Sequence, residues 1–314
     1  MIDRTNNKSI RAAYGNALVT VGKENENVVV LDADVAKSTM SITFQKEYPE
    51  RFFDMGIAEQ DMIATAAGLA SQGKIPFAST FAVFATGRTY DQIRNGVCYG
   101  NLNVKVVGTH GGITVGEDGA SHQALEDVSL MRGLPNMTVI VPADCKECEE
   151  AVKYAAKVNG PVYIRVARSN VPSVFGDDYK LAVDGQVMRE GKDVTIITNG
   201  ETLVEALDAA EILAGKGIAA KVINMPVVKP LNNDIILKDA ASTKLYVTVE
   251  NHSVIGGLGS AVCEVLSENQ PAKVLRIGTE DVFGQSGTAK DLLDYYGLTA
   301  EKIADRIAKK METL

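Results

Sequence analysis

The chain has 314 residues, 46% of them apolar and 23% charged, enough for a sizeable core and about two domains of roughly 150 residues each, with nothing of a disordered composition. A formal net charge of −8 argues against nucleic acid or an anionic membrane as the main partner, though a local group of arginines can still hold an anionic substrate. Four sparse cysteines, no signal pattern in the opening MIDRTNNKSI and no apolar run near the roughly 20 residues of a membrane span point to a reduced, cytoplasmic protein.

Segments rich in Val and Ile alternate with amphipathic or Ala-rich ones. The pattern predicts helices over 10–22, 59–72, 86–99 and 144–158, and buried strands over 27–32, 104–108, 138–141 and 162–166. Asp144 and, three residues on, Glu147 form a capping-box signal for the last of these helices. Around 171–191 the pattern breaks, with Pro172 and glycines 176, 185 and 191, which divides the chain into units 1–178 and 190–314. The second unit alternates again, with strands over 194–198, 219–224, 244–249 and 273–277 and helices over 202–216, 260–269 and 300–311. The expected fold is a doubly wound parallel α/β domain followed by a smaller α/β domain.

Several constellations are candidates for chemistry. Glu59 opens a helix whose following face is almost entirely Ala, Ile, Leu and Gly. It reads either as a solvated first-turn acid favoured by the helix dipole, or as a carboxylate buried by those neighbours and able to act as proton donor or hydrogen-bond partner. Phe81 and Phe84, three apart, are either core or a flat slot for an aromatic ring. In THGGITVGEDGASHQALED (109–127), glycines 111, 112, 116 and 119 surround His110, Glu117, Asp118 and His122, and the chain has only three histidines. The spacing is not that of a zinc centre. The segment is either a solvated loop or two imidazoles and a carboxylate that hydrogen-bond a polyol or carbonyl. Cys145 and Cys148 fall in the first turn of a helix and read as an incidental pair. GGLGSA (256–261) is an incomplete dinucleotide loop that a tight strand-to-helix turn explains. Arg11, Arg88, Arg94 and Arg168 could each take a phosphate.

In chain order, DADVAKS (32–38), GIAEQ (56–60), STF..F (79–84), TH (109–110), VGEDG..HQ..ED (115–127), PN (135–136), PAD (142–144) and R.N.P (168–172) resemble the transketolase family, and the second unit is similar to that family's C-terminal domain. The resemblance implies a pyrimidine-binding domain of a thiamine-diphosphate enzyme. Glu59 hydrogen-bonds the aminopyrimidine, Phe81 and Phe84 line its slot, and Asp34 lies near the cofactor at a subunit interface. His110, Asp118 and His122 contact hydroxyls of a ketose donor, with Glu59, His110 and His122 as the catalytic groups. Arg11, Ser38 and Arg168 hold the donor's terminal phosphate.

Two positions depart from the family pattern: Gln60 stands where His is usual, and Gly87 where a third aromatic is usual. A larger departure is that the Gly-Asp-Gly motif with which the family binds the diphosphate and Mg²⁺ does not occur. The expectation is therefore the C-terminal subunit of a split transketolase, moving a two-carbon ketol unit between sugar phosphates. It would be inactive until an N-terminal subunit supplies the Mg²⁺ site, in an assembly of two copies of each chain. The competing expectations are a deoxyxylulose-phosphate synthase type, the β subunit of a 2-oxo-acid dehydrogenase, and a non-catalytic regulatory half. His110 and Glu117, the VGEDG..HQ loop, and the retained Glu59 weigh against these three in turn.

Overall fold

The computed structural model describes Ile2 and residues 4–314. The first unit comprises β1 (Lys8–Ser9), α1 (Ile10–Glu24), β2 (Val28–Asp32), α2 (Ala36–Thr39), α3 (Ile42–Glu47), β3 (Phe52–Asp54), α4 (Glu59–Ser71), β4 (Ile75–Phe81), β5 (Lys105–Thr109), α5 (Asp127–Arg132), β6 (Thr138–Ile140), α6 (Cys145–Lys157), β7 (Val162–Val166) and β8 (Asn170–Val171). The remainder comprises β9 (Gln186–Arg189), β10 (Val194–Thr198), α7 (Thr202–Gly215), β11 (Ala220–Asn224), β12 (Val227–Lys229), α8 (Asn233–Leu237), β13 (Leu245–Ser253), α9 (Leu258–Asn269), β14 (Val274–Thr279), α10 (Ala289–Tyr295) and α11 (Ala300–Glu312).

Strands such as VVVLD of β2 and VYIRV of β7 are buried throughout because helices cover both faces of their sheet. That sheet has seven strands in the order β12-β6-β7-β5-β4-β2-β3, parallel except at β12. One core lies between it and α1, α3 and α6, around Tyr14, Leu18, Phe44 and Val152; the other lies under α4 and α5, around Met62, Ile63, Val106 and Met131. The second sheet has five strands in the order β14-β13-β10-β11-β9, antiparallel only at β9, with α7 and α11 on one face and α8 and α9 on the other.

Three features differ from the sequence expectation. Sheet pairing does not respect the break in the chain: β9 joins the second sheet from Gln186, and β12 returns to the first sheet to pair with β6. The strand β4 carries Pro76, which hides it from pattern reading. The helix expected over 86–99 is instead drawn into two π-helical turns, Phe84–Arg88 and Gln92–Cys98. Thr86 and Thr89 hydroxyls donate to the carbonyls of Ala82 and Ala85, at 2.8 and 2.6 Å, inside this wider ladder.

The start of α6 shows how local signals fix a junction. Asp144 Oδ1 accepts the Glu147 N–H at 2.8 Å, while the buried Glu147 carboxylate reaches back to the N–H of Ala143 at 2.7 Å. Asp144 Oδ2 also accepts the N–H groups of Val174 and Phe175, at 2.7 and 2.9 Å, and so ties the inter-unit segment to the helix start. Replacing Asp144 by Ala strands three donors, so Asp144→Ala should lower the urea-unfolding free energy by about 2–3 kcal/mol, more than a simple cap loss. A loss under about 0.5 kcal/mol would contradict this assignment.

Candidate active site

The parallel strands of the first sheet end level with one another. Asp32 faces Asp54 and Ser79, and Phe81 faces Thr109, which faces Val166. The candidate residues follow these strand ends, where an open α/β sheet leaves its crevice; Arg11 enters from the first turn of α1.

Glu59 is the first residue of α4 and is only 3% exposed, so the solvated reading falls. Its carboxylate is paired: Arg88 Nη1 donates to Oε1 and Oε2, each at 2.8 Å. The Arg88 guanidinium lies over the Phe84 ring, 4.5 Å from its centroid. Phe84 stacks on Phe81 at 6.2 Å with 21° between ring planes. The His122 ring meets Phe84 edge-on at 5.4 Å, and the His110 ring lies 4.0 Å from Phe81. One continuous run of side chains thus joins Glu59, Arg88, Phe84, His122, Phe81 and His110. No third aromatic closes the slot at Gly87; the Arg88 guanidinium covers Phe84 instead.

His110 is buried and has a left-handed backbone, φ 60°. Thr109 Oγ1 and His110 Nδ1 share a hydrogen bond at 2.9 Å. Burial, then the charges of Arg11 and Arg168, push the imidazole down to about 3, so the ring is neutral.

Those two arginines close the run. Arg11 Nη1 donates to the Ser38 carbonyl at 2.6 Å, while its buried Nε has no hydrogen-bond partner. Burial and then the charge of Arg168 lower the Arg11 pKa. Arg168 Nη1 donates to the Val115 carbonyl at 2.7 Å and pairs with Glu117 at 3.3 Å. Two neighbouring guanidiniums, one with a spare buried donor, form an environment suited to an anion. Ser38 enters through its carbonyl here. Asp34, with φ 62°, and Asp118 are exposed, and no hydrogen bond joins either to the others among the described residues.

Other sequence candidates lie apart. Arg94 donates to the Asn95 side chain at 2.8 Å on the surface. The glycine turn before α9 is filled from within: Glu250 accepts the N–H groups of Leu258 and Gly259, each at 2.8 Å, so that helix N-terminus offers no phosphate cradle. Burial pushes the Cys145 thiol up to about 11 and Cys148 well above its usual value, against a redox pair. No group of His, Cys, Asp or Glu among the described residues could hold a metal. A cavity of about 580 Å³ opens between the two units, lined by Arg4, Glu201, Glu205 and Asp208 among others, and contains none of the residues in the run.

Sequence reading missed what holds the glycine loop. Asn251 Oδ1 accepts the Ile113 N–H at 3.0 Å, and Glu201 accepts the hydroxyls of Thr114 and Ser169 at 2.6 and 2.5 Å. Both residues come from the second unit, where nothing local marks them. Buried Asp32, beneath Asp34, accepts from Val35 N–H and the hydroxyls of Thr39 and Ser41, and burial raises it to about 6.

A doubly wound domain whose strand ends carry a buried carboxylate, an aromatic pair and a cationic rim defines a candidate site for a flat ring and an anion. The family model "Transketolase, pyrimidine binding domain" matches residues 6–174, and "Transketolase, C-terminal domain" matches 184–303. The chain belongs to the transketolase family, whose domains imply use of thiamine diphosphate. It is 50% identical over 309 residues to a Methanocaldococcus jannaschii protein provisionally named a transketolase C-terminal section, with 97% of each chain covered. It is 42% identical over 295 residues to the 6-deoxy-6-sulfo-D-fructose transketolase subunit of a Clostridium species, covering 94% of this chain and 92% of that one. A split-gene transketolase solved as an inactive β4 tetramer superposes with a TM-score of 0.90 at 52% identity, covering 97% of this chain and 98% of that one.

The neutral state of His110 has a stability consequence. Its folded value, about 3, lies below the ordinary 6.5, so protonation favours the unfolded chain. His110 should therefore make the fold progressively less stable as pH falls from 6.5 towards 3. His110→Asn should remove that component. Urea midpoints compared between pH 7 and about 4 should show a shallower acid loss in the variant than in the wild type.

Proposed function

We propose that this chain is the C-terminal subunit of a two-chain transketolase of the cytoplasm. It would move a two-carbon ketol unit from a ketose phosphate to an aldose phosphate, as pentose phosphate metabolism requires. The observation that carries this reading is the run of side chains from Glu59 through Phe84, His122, Phe81 and His110 to Arg11 and Arg168. It orders a ring-binding carboxylate, two imidazoles for hydroxyls and two guanidiniums for an anion along one sheet edge. A ketose phosphate has its carbonyl end, hydroxyls and phosphate in that same order.

Thiamine diphosphate, when bound, supplies the nucleophilic carbon and the electron sink. The residues present fit its pyrimidine end. A flat guanidinium already lies on Phe84 and bonds both oxygens of Glu59, as the face and N–H edge of an aminopyrimidine would. In this reading Glu59 hydrogen-bonds the ring, Phe81 and Phe84 hold its face, and Asp34 stands at the edge towards the partner. His110, held neutral, and His122 beside it orient the donor's hydroxyls, with Asp118 reaching in from the loop. His110 does so without adding a third positive charge beside Arg11 and Arg168. Arg11, Ser38 and Arg168 take the terminal phosphate.

We assign the diphosphate and its Mg²⁺ to an N-terminal partner subunit bearing Gly-Asp-Gly, a motif this chain lacks. We infer an assembly of two copies of each chain. Support comes from the full-length match to relatives named as a section and a subunit, and from the split-gene relative described as an inactive β4 tetramer. The sugar itself is left open, since one relative is named for a sulfonated hexose.

The isolated chain should show no ketol transfer. Adding a Gly-Asp-Gly subunit, thiamine diphosphate, Mg²⁺, a ketose phosphate and an aldose phosphate should restore it, and silence across several sugar phosphates would refute the reading. Glu59→Gln should cut turnover at least about a hundredfold, by loss of the proton-handling hydrogen bond, with assembly unchanged by size-exclusion chromatography. Normal turnover would remove the role given to Glu59.

Arg168→Ala should raise KM for phosphorylated sugars roughly 10–100-fold, the worth of a charged hydrogen bond, and leave unphosphorylated sugars nearly unaffected. Equal effects on both would argue against a phosphate contact.

A further inference from the structure

Arg88 is the one member of the run without a part in that reading, and its placement is unusual. It ends the π-helical turn Phe84–Arg88, its side chain is 45% exposed, and the preceding Gly87 faces open space. From there the guanidinium makes two contacts at once. Nη1 bonds both Glu59 oxygens at 2.8 Å, and Cζ sits 4.5 Å over the Phe84 ring. A guanidinium is planar, cationic and lined with N–H donors, so it stacks and hydrogen-bonds as an amidine or aminopyrimidine does. An entering ring that seeks Phe84 and Glu59 meets both already engaged.

We propose that Arg88 is the resident occupant of the ring slot, displaced by the aminopyrimidine of the cofactor, and that it sets the affinity of the slot for flat amidine-bearing ligands. This rests on the function proposed above. The arginine neutralises a carboxylate that burial would otherwise leave uncompensated. Ligand binding must break that pair, so apparent affinity is reduced by the fraction of molecules in which Arg88 holds the slot. The route out is open. Half of the side chain already faces solvent, and Gln60 Nε2 donates to the Arg88 carbonyl at 3.2 Å, which anchors the backbone while the side chain swings. Gln60, where the family usually has His, acquires a use by this account.

The test titrates the isolated full chain by calorimetry with 4-amino-5-hydroxymethyl-2-methylpyrimidine, the ring fragment of the cofactor. Arg88→Ala should bind it about fivefold more tightly than wild type, the worth of a partly exposed ion pair. Arg88→Lys, which can neutralise Glu59 but cannot stack as a plane, should gain in the same direction by less; it carries the test if the alanine variant fails to fold. The gain should vanish in the Glu59→Gln/Arg88→Ala double variant, because the released carboxylate is its source. Unchanged or weaker binding by the folded Arg88 variants would overturn the proposal and make the arginine a supporting contact. The two-chain enzyme separates the hypotheses. If wild type binds thiamine diphosphate and Arg88→Ala shows no gain, only the arginine proposal falls. If no form binds the cofactor, the transketolase reading falls with it.

Discussion

Arg165 stands near the end of β7 with its side chain 7% exposed, and its bonds hold three parts of the molecule in register. Nε donates to Asp127 Oδ2 at 2.8 Å, and Nη2 donates to the carbonyls of Ala124 and Asn251 at 3.1 and 2.8 Å. The Tyr163 hydroxyl donates to the same Asp127 oxygen at 2.6 Å. The far end of the glycine loop is thereby fixed to the first sheet and to β13 of the second unit through one cation. A buried pair of this kind adds little net stability, since desolvation offsets most of the attraction, but removing one partner strands the other. Its value lies in position. A side chain at Gly111 would put its Cβ 2.6 Å from Arg165 Nε, so the loop can pass here only as glycine.

The second unit acts on the site through this loop. A Cβ on Gly112 would collide with Asn251, and one on Gly119 would stand 2.6 Å from Ser286 Oγ. Gln123 donates to the carbonyls of Ile113 and Gln285, at 3.2 and 3.0 Å, stitching the loop to the segment before α10. Glu201 gathers Thr114, Ser169 and Asn251 onto one carboxylate. His110 pays for its place with a left-handed backbone, a cost of order 1–3 kcal/mol for a residue with a side chain. That conformation persists because the ring of Phe81, the hydroxyl of Thr109 and the restrained loop leave it no alternative. The C-terminal domain needs no ligand of its own to shape the candidate site; it is the wall against which the glycine loop is pressed.

Much of this was legible in the chain. Buried strands such as β7 and β10, and the cap at Asp144, depend on local pattern and appeared where the pattern put them. The carboxylate, the phenylalanines and the histidines announced themselves by residue type and by the resemblance they carry. Three classes of feature did not. The strand β4 was masked by its own proline, and β12 by the chain's return to a sheet it had left, since pairing partners are not a local property. The π-helical turns Phe84–Arg88 and Gln92–Cys98 widen the helical ladder, which periodicity at 3.6 residues cannot register. Arg88, Glu201 and Asn251 act through partners at least 29 residues away, and a single sequence gives no signal for such pairing. Only Arg165, a charge amid VYIRV, carried a hint in its surroundings.

Similar pairings hold the charged groups of the candidate site within the fold. Three charges of the candidate site already have a partner of the right kind. Glu59 has Arg88, Arg168 has Glu117 and the Val115 carbonyl, and Arg11 has the Ser38 carbonyl. His110 stays uncharged beside the two arginines because burial and their field make its protonation unfavourable. The chain of net charge −8 can therefore concentrate Arg11 and Arg168 at the ends of the first sheet's strands. Binding then becomes an exchange of partners: the ligand has to outdo a bond already present, and the difference between two similar bonds is small. Affinity built this way stays modest for each contact and rises only when several exchanges occur together. That favours ligands that each engage several of these groups at once, over ligands that reach only one.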